Sequence, residues 1–214
     1  MTCSQCVGIE LQFDAGVARR QLKRYRRKGP PKMTRVLLDA LTAEGAVDAT
    51  FLDIGGGIGA IQHGLMEAGA AGGTSVDASP AYLDAAREES ASRGHTDKVQ
   101  YVPGDFVEVH RDVEGADLVA LDRVVCCYHD MPALVDASAS KAQRAYGLVY
   151  PRDTRLVRLA IGMLNLVQRV RRHPFRAFVH PTQEVEARVE SHGLRKVFSK
   201  QGILWQVVVF RRHA

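Results

Sequence analysis

The chain has 214 residues, of which 46% are hydrophobic and 25% charged, and its formal net charge is +5. This composition suits one sizeable soluble globular domain with its own core. No apolar stretch reaches the roughly 20 residues of a membrane-spanning helix, and four cysteines make no disulfide framework in a chain this long. The opening MTCSQCVGIELQF lacks a basic region followed by an apolar run, so no secretory signal is expected and the cytoplasm is the expected compartment. Cys3 and Cys6 form a lone CxxC, and Cys126 and Cys127 are adjacent. Neither pair has the spacing of a zinc site, so reduced structural thiols and no metal are expected.

Residues 10–28 read as a helix, with Leu11, Ala15, Ala18 and Leu22 near the three-to-four spacing. Its basic cluster includes Arg19, Arg20, Lys23, Arg24, Arg26, Arg27 and Lys28. Gly29, Pro30 and Pro31 stop it, and Thr34 is the expected cap of a second helix closed by Gly45. Residues 1–45 are thus expected to form a helical lid on a single compact unit, 46–214. Strands and helices then alternate. Strands are expected at 50–54, 72–76, 99–102, 117–121 and 145–150, and helices at 58–68, 80–92 and 131–144. Near-continuous apolar strands such as LVAL argue a parallel sheet buried on both faces by helices. After Pro151 comes a long apolar helix at 155–172, carrying five arginines. It is expected to pack on the sheet, cover a pocket or touch a membrane surface. A helix at 183–191 and two final strands around KQGILWQVVVF complete a doubly wound, mostly parallel seven-stranded α/β sheet.

The stretch FLDIGGGIGA, Phe51 to Ala60, places a glycine corner between a strand and a helix. Such corners bring backbone N–H groups against a ligand, and glycine removes the Cβ that would strike it. Two cofactor classes compete. Gly55, Gly57 and Ala60 satisfy the dinucleotide pattern GxGxxG/A, and Asp77 lies near its ribose-binding offset. The alternative is DxGxGxG, with Asp53 ahead of Gly55, Gly57 and Gly59.

FLDIGGGIGA resembles motif I of the class I S-adenosylmethionine-dependent methyltransferases, and three later segments resemble that family in order. Asp77, beside Ala78, ends the second strand, where the family's acid binds ribose. Tyr82 falls where a side chain packs beside adenine. Asp105 and Phe106 of VQYVPGDF resemble the pair that meets the adenine amino group and ring. Asp122, beside Arg123, ends the fourth strand at the active site. The resemblance implies a Rossmann-like methyltransferase fold and S-adenosyl-L-methionine as cofactor, held by these residues with Ile54 and Gly56. Chemistry agrees: carbonyls near Asp53 and Gly55 can receive the ammonium group, and a carboxylate can accept both ribose hydroxyls.

The acceptor is less defined. LDRVVCCYHD lacks the N/D-P-P-Y/F of amino-group methylases and the Pro-Cys of RNA cytosine methylases. Expectation falls on O-methylation of a small acidic or aromatic molecule, with an RNA methyltransferase or a non-catalytic cofactor-binding module as alternatives. From LVYPRD to RAFVHPTQEVEARV the chain is similar to the magnesium-protoporphyrin O-methyltransferase group, but Cys126 stands near where that group has a histidine. A hydroxyl acceptor needs a base, for which His129 is a candidate by its place just past the fourth strand and His180 by what the resemblance implies. Tyr25 is a candidate to bound the methyl group, and Arg123 and Arg152 to receive an acidic group.

Overall fold

The computed structural model describes residues 8, 9 and 11–213; the CxxC of Cys3 and Cys6 lies outside them. In chain order the elements are α1 (Ala15–Lys28), α2 (Lys32–Ala43), β1 (Thr50–Ile54), α3 (Ala60–Glu67), β2 (Gly72–Asp77), α4 (Pro80–Ser92), β3 (Val99–Pro103), α5 (Phe106–Val109), β4 (Ala116–Asp122), α6 (Met131–Ala139), β5 (Ala142–Pro151), α7 (Arg155–Val170), α8 (Thr182–Glu190), β6 (Leu194–Gln201) and β7 (Trp205–Arg212). The sheet order is β3-β2-β1-β4-β5-β7-β6. The first five strands run parallel, while β7 is antiparallel to both β5 and β6. The expected doubly wound, mostly parallel sheet is therefore present.

Period-two alternation builds the two faces. On β4, Val119 and Leu121 point into one core with Tyr146 and Phe210. Leu118 and Ala120 point into the other, with Leu37, Leu41 and Leu65. Leu37 and Leu41 come from α2, so that helix fills the second core layer rather than lying over the surface. α1 packs against α4 through Ala18, Leu22, Tyr25 and Tyr82.

Three local expectations need correction. The first helical stretch breaks at Phe13, because the Asp14 carboxylate accepts from the Val17 N–H at 2.8 Å and starts α1 afresh. The second helix begins at Lys32 behind Pro31, and Thr34 sits buried inside it instead of capping it. β5 begins at Ala142, three residues earlier than expected. Ala142 pairs with Ala116 and is buried in the sheet, so tertiary pairing overrides an alanine-rich stretch that favours helix. The short α5 was not expected; the Asp105 carboxylate caps it by accepting from the Val107 N–H at 3.0 Å.

Candidate active site

The carboxyl ends of β1 to β4 converge on one cavity of about 740 Å3, within the range of small-molecule sites. The corner after β1 forms one wall. Gly55 has φ +62, and a Cβ there would stand 2.4 Å from Val124 Cγ2, so close approach excludes a side chain. Gly57 has φ +57, and a Cβ there would meet nothing within 4 Å; it faces open cavity. The Gly57 N–H donates to Asp77 Oδ2 at 2.9 Å, and the Ser79 N–H donates to Asp77 Oδ1 at 2.8 Å. Asp77 thus clamps the corner from the neighbouring strand and keeps lone pairs for a ligand. Burial raises its carboxyl to about 6, although both N–H bonds oppose the rise.

Asp53 lies beneath the corner. It is fully buried, and neither carboxylate oxygen has a hydrogen-bond partner among the described residues. Burial, reinforced by the charge of Asp122, pushes it up to about 8. A buried carboxyl without a partner on a cavity wall invites a cation.

Further round, Asp105 accepts a hydrogen bond from the Tyr128 hydroxyl at 2.9 Å, beside Phe106. Tyr82, Ala78 and Ile54 also line the cavity, and the Phe13 ring lies 5.5 Å from that of Tyr82. At the end of β4, Asp122 Oδ2 accepts from the Thr34 hydroxyl at 2.6 Å and from Arg123 Nη2 at 2.9 Å. Arg123 Nη2 also donates to Thr34 Oγ1 at 2.8 Å. Arg123 itself has φ +63, an uncommon conformation for a non-glycine residue and a sign of local constraint. Its guanidinium stands 6.0 Å from the Trp205 ring.

Twelve of the thirteen expected cofactor residues line this cavity: Asp53–Gly57, Asp77, Ala78, Tyr82, Asp105, Phe106, Asp122 and Arg123. Gly59 does not line it; that residue is the left-handed N-cap of α3. Of the expected catalytic residues, only Tyr25 lines the cavity. Burial raises its phenol above the ordinary value, and Arg93 stacks 5.2 Å over its ring. His129 is exposed, stacked on Tyr128 at 5.6 Å, outside the cavity wall. His180 also stands behind the wall, where Nε2 meets the Tyr128 carbonyl at 2.9 Å. Its neighbour Phe178 donates from its N–H to the Cys126 carbonyl at 2.7 Å, so this segment pins the loop after β4. Among the described residues no histidine lines the cavity. Arg152 bonds the Gly202 carbonyl at 3.0 Å and is not in the wall.

Cys126 and Cys127 do line the cavity, with sulfurs 3.8 Å apart. The neighbouring Cys127 thiol and burial together raise the Cys126 thiol, which stays protonated near neutral pH. Residues that sequence reasoning missed are Thr34, Tyr128, Phe175 and Trp205. Tyr128 lies in the loop after β4, while Thr34, Phe175 and Trp205 come in from elements distant in sequence. Among the described residues no group of three or more His, Cys, Asp or Glu is placed to hold a metal ion. No described helix is long and apolar enough to cross a membrane.

Residues 52–143 match the family model described as a methyltransferase domain. That segment carries a methyltransferase domain, and the sheet has the Rossmann-like fold of S-adenosylmethionine-dependent methyltransferases. No curated protein sequence matches this chain. Among solved structures, the magnesium protoporphyrin IX methyltransferase of Synechocystis with bound S-adenosylmethionine superposes with a TM-score of 0.74 at 14% identity, covering 100% of this chain and 99% of that one. An O-methyltransferase family protein from Burkholderia thailandensis gives a TM-score of 0.69 at 17% identity, covering 94% of this chain and 61% of that one. At these identities the likeness is one of fold.

The cavity fits S-adenosylmethionine on its own geometry. The Gly57 cradle is open, Asp77 has acceptor capacity for two hydroxyls, and Asp53 is a carboxyl lacking a partner. A nicotinamide dinucleotide would account for Asp77 but not for Asp53 below the corner or for Asp105 beside Phe106.

Proposed function

We propose that this methyltransferase O-methylates a small molecule of acidic or aromatic character in the cytoplasm. One observation carries the reading. The cavity that holds the glycine corner, Asp77 and Asp105 is also lined by the rings of Phe13, Tyr25, Phe175 and Trp205. Flat apolar walls of this kind suit a ring system. Arg24, Lys28, Lys32 and Arg123 also border the cavity, which favours an anionic group on the acceptor.

In this reading Asp77 would hold the ribose hydroxyls, and Asp105 with Phe106 the adenine. Gly55–Gly57 with Asp53 would hold the amino-acid end. When bound, the cofactor supplies an electrophilic methyl group on a sulfonium. The protein's part is to align acceptor and donor and to exclude water. α1, bearing Tyr25, acts as the lid that closes over them. With no histidine in the wall among the described residues, with burial holding the Tyr25 phenol up and the Cys127 thiol and burial holding the Cys126 thiol up, the site suits an acceptor oxygen that arrives ionised, such as a carboxylate.

Two measurements test this. Calorimetry with S-adenosylmethionine should give a saturable isotherm that Asp77→Ala abolishes; no heat from folded wild-type protein would sink the cofactor assignment. A methyl-transfer screen over carboxylic acids, phenols and porphyrins should find turnover. Cofactor binding with turnover only on RNA would replace the acceptor class.

A further inference from the structure

α7 is turned the wrong way for a helix that merely covers a core. Its inward side mixes polar and apolar contacts. Asn165 Nδ2 donates to the Ala177 carbonyl at 2.7 Å, and Asn165 Oδ1 accepts from the Ala177 N–H at 2.9 Å. Gln168 Nε2 donates to Gln12 Oε1 at 3.0 Å. Only Val157 is fully buried, while Ile161 and Leu164 line the cavity. The large apolar residues point outward instead. Leu156 is 80% exposed, Leu159 66%, Met163 62%, Leu166 59% and Val170 75%. Their spacing of three, four, three and four residues places them on one stripe along the helix. A contiguous apolar stripe of this length marks an interaction surface.

Arginine dominates the charge around the stripe, although Arg158 is paired with Asp153 at the start of the helix. From Thr154 to Gln183 the chain contains six arginines and no acidic residue. Arg155, Arg158 and Arg169 are exposed and lie on the helix flank beside the stripe, and exposed Arg171 and Arg172 follow its last turn. An apolar stripe edged by arginines fits the boundary between lipid headgroups and acyl chains of an anionic bilayer. A second copy of this chain is a poorer occupant. An antiparallel two-fold contact along α7 would set the arginine row against its own image. RNA would satisfy the arginines but not the leucines.

We propose that α7 docks this methyltransferase onto an anionic membrane surface, with Leu156, Leu159, Met163, Leu166 and Val170 embedded and the flanking arginines on lipid phosphates. The inner side of the same helix borders the cavity through Ile161 and Leu164, so docking sets the substrate site at the bilayer. The proposal is independent of the acceptor's identity and of cofactor binding.

The test is flotation of the full chain with two vesicle preparations, phosphatidylcholine alone and phosphatidylcholine with about one-third phosphatidylglycerol. Wild type should float with the anionic vesicles, release at high salt and stay behind with the neutral ones. Leu159→Gln/Met163→Gln/Leu166→Gln changes only exposed positions and should cut partitioning about tenfold or more. Arg169→Gln/Arg171→Gln should weaken binding to anionic vesicles, and circular dichroism should show both variants folded. The proposal is overturned if wild type floats with neither preparation or equally with both. It is overturned too if the triple variant floats like wild type. Sedimentation velocity showing a non-floating wild-type dimer that the triple variant abolishes would give the stripe to a second copy. Salt-sensitive RNA binding without flotation would give the arginines to nucleic acid.

Discussion

Replacing Asp53 by asparagine should make the unliganded protein more stable near neutral pH, and the gain should grow with pH. In the folded chain burial moves this carboxyl from its ordinary 3.8 to about 8. Between those values the folded state keeps a proton that the unfolded chain has released. Stability therefore falls as pH rises through that window and levels off above it. Linkage puts the loss accumulated by pH 7 at roughly 4 kcal/mol, and the part between pH 5 and pH 7 at about 2–3 kcal/mol. An asparagine cannot titrate, so the stability of Asp53→Asn relative to wild type should climb by that amount over the same interval. For a domain of this size the relative melting temperature should rise by roughly 5–10 °C. Urea unfolding followed by circular dichroism at several pH values measures the difference directly, and other titrating groups cancel between the two proteins. Two curves that stay parallel from pH 5 to pH 8 would refute the claim that Asp53 is buried without a partner.

Other outcomes follow from the same geometry. Gly57→Val should abolish cofactor binding, since the side chain enters the open cradle; its φ of +57 adds about 1–2 kcal/mol of backbone strain, seen as a lower melting temperature. Arg123→Lys keeps the charge but loses the fork that joins Asp122 to Thr34. Acceptor KM should rise several-fold in steady-state assays while cofactor affinity changes little. Tyr128→Phe removes the hydroxyl that donates to Asp105 and should cost about 1 kcal/mol of cofactor affinity by calorimetry. His129→Ala should leave turnover near wild type, because that ring is exposed and outside the cavity.

The architecture was legible because its signals are local and repeated. Thr50–Ile54 and Pro80–Ser92 match their expected bounds, the first an apolar run ending at glycine and the second a Ser79-capped helix with proline in its first turn. The cofactor side of the cavity was legible for a related reason. In this fold ligands bind at the carboxyl ends of the strands, so residues such as Asp77 and Asp105 can be read from their place at or just after a strand end. The acceptor side has no such rule. Thr34 reaches Asp122 across 88 positions of sequence, and Trp205 arrives from the antiparallel strand at the sheet's far side. The histidines misled for a physical reason. His129 and His180 are near the rim in sequence, but one turns to solvent and the other spends its ring nitrogen on a backbone carbonyl.

The two raised carboxyls also predict how cofactor affinity depends on pH. Asp77 at about 6 and Asp53 at about 8 are partly or largely protonated in the empty site near neutrality. Ribose hydroxyls donating to Asp77, and an ammonium set near Asp53, each favour the ionised form. Binding must then expel protons, and S-adenosylmethionine affinity should rise as pH increases from about 6 to about 7, before the ligand's own amino group, half deprotonated near about 7.7, has lost much of its proton. Calorimetry in two buffers of different ionisation enthalpy should show net proton release at pH 7, and the release should shrink in Asp53→Asn. Affinity that falls over this interval, or proton uptake on binding, would mean that the cation does not reach Asp53 and that the corner holds a different part of the ligand.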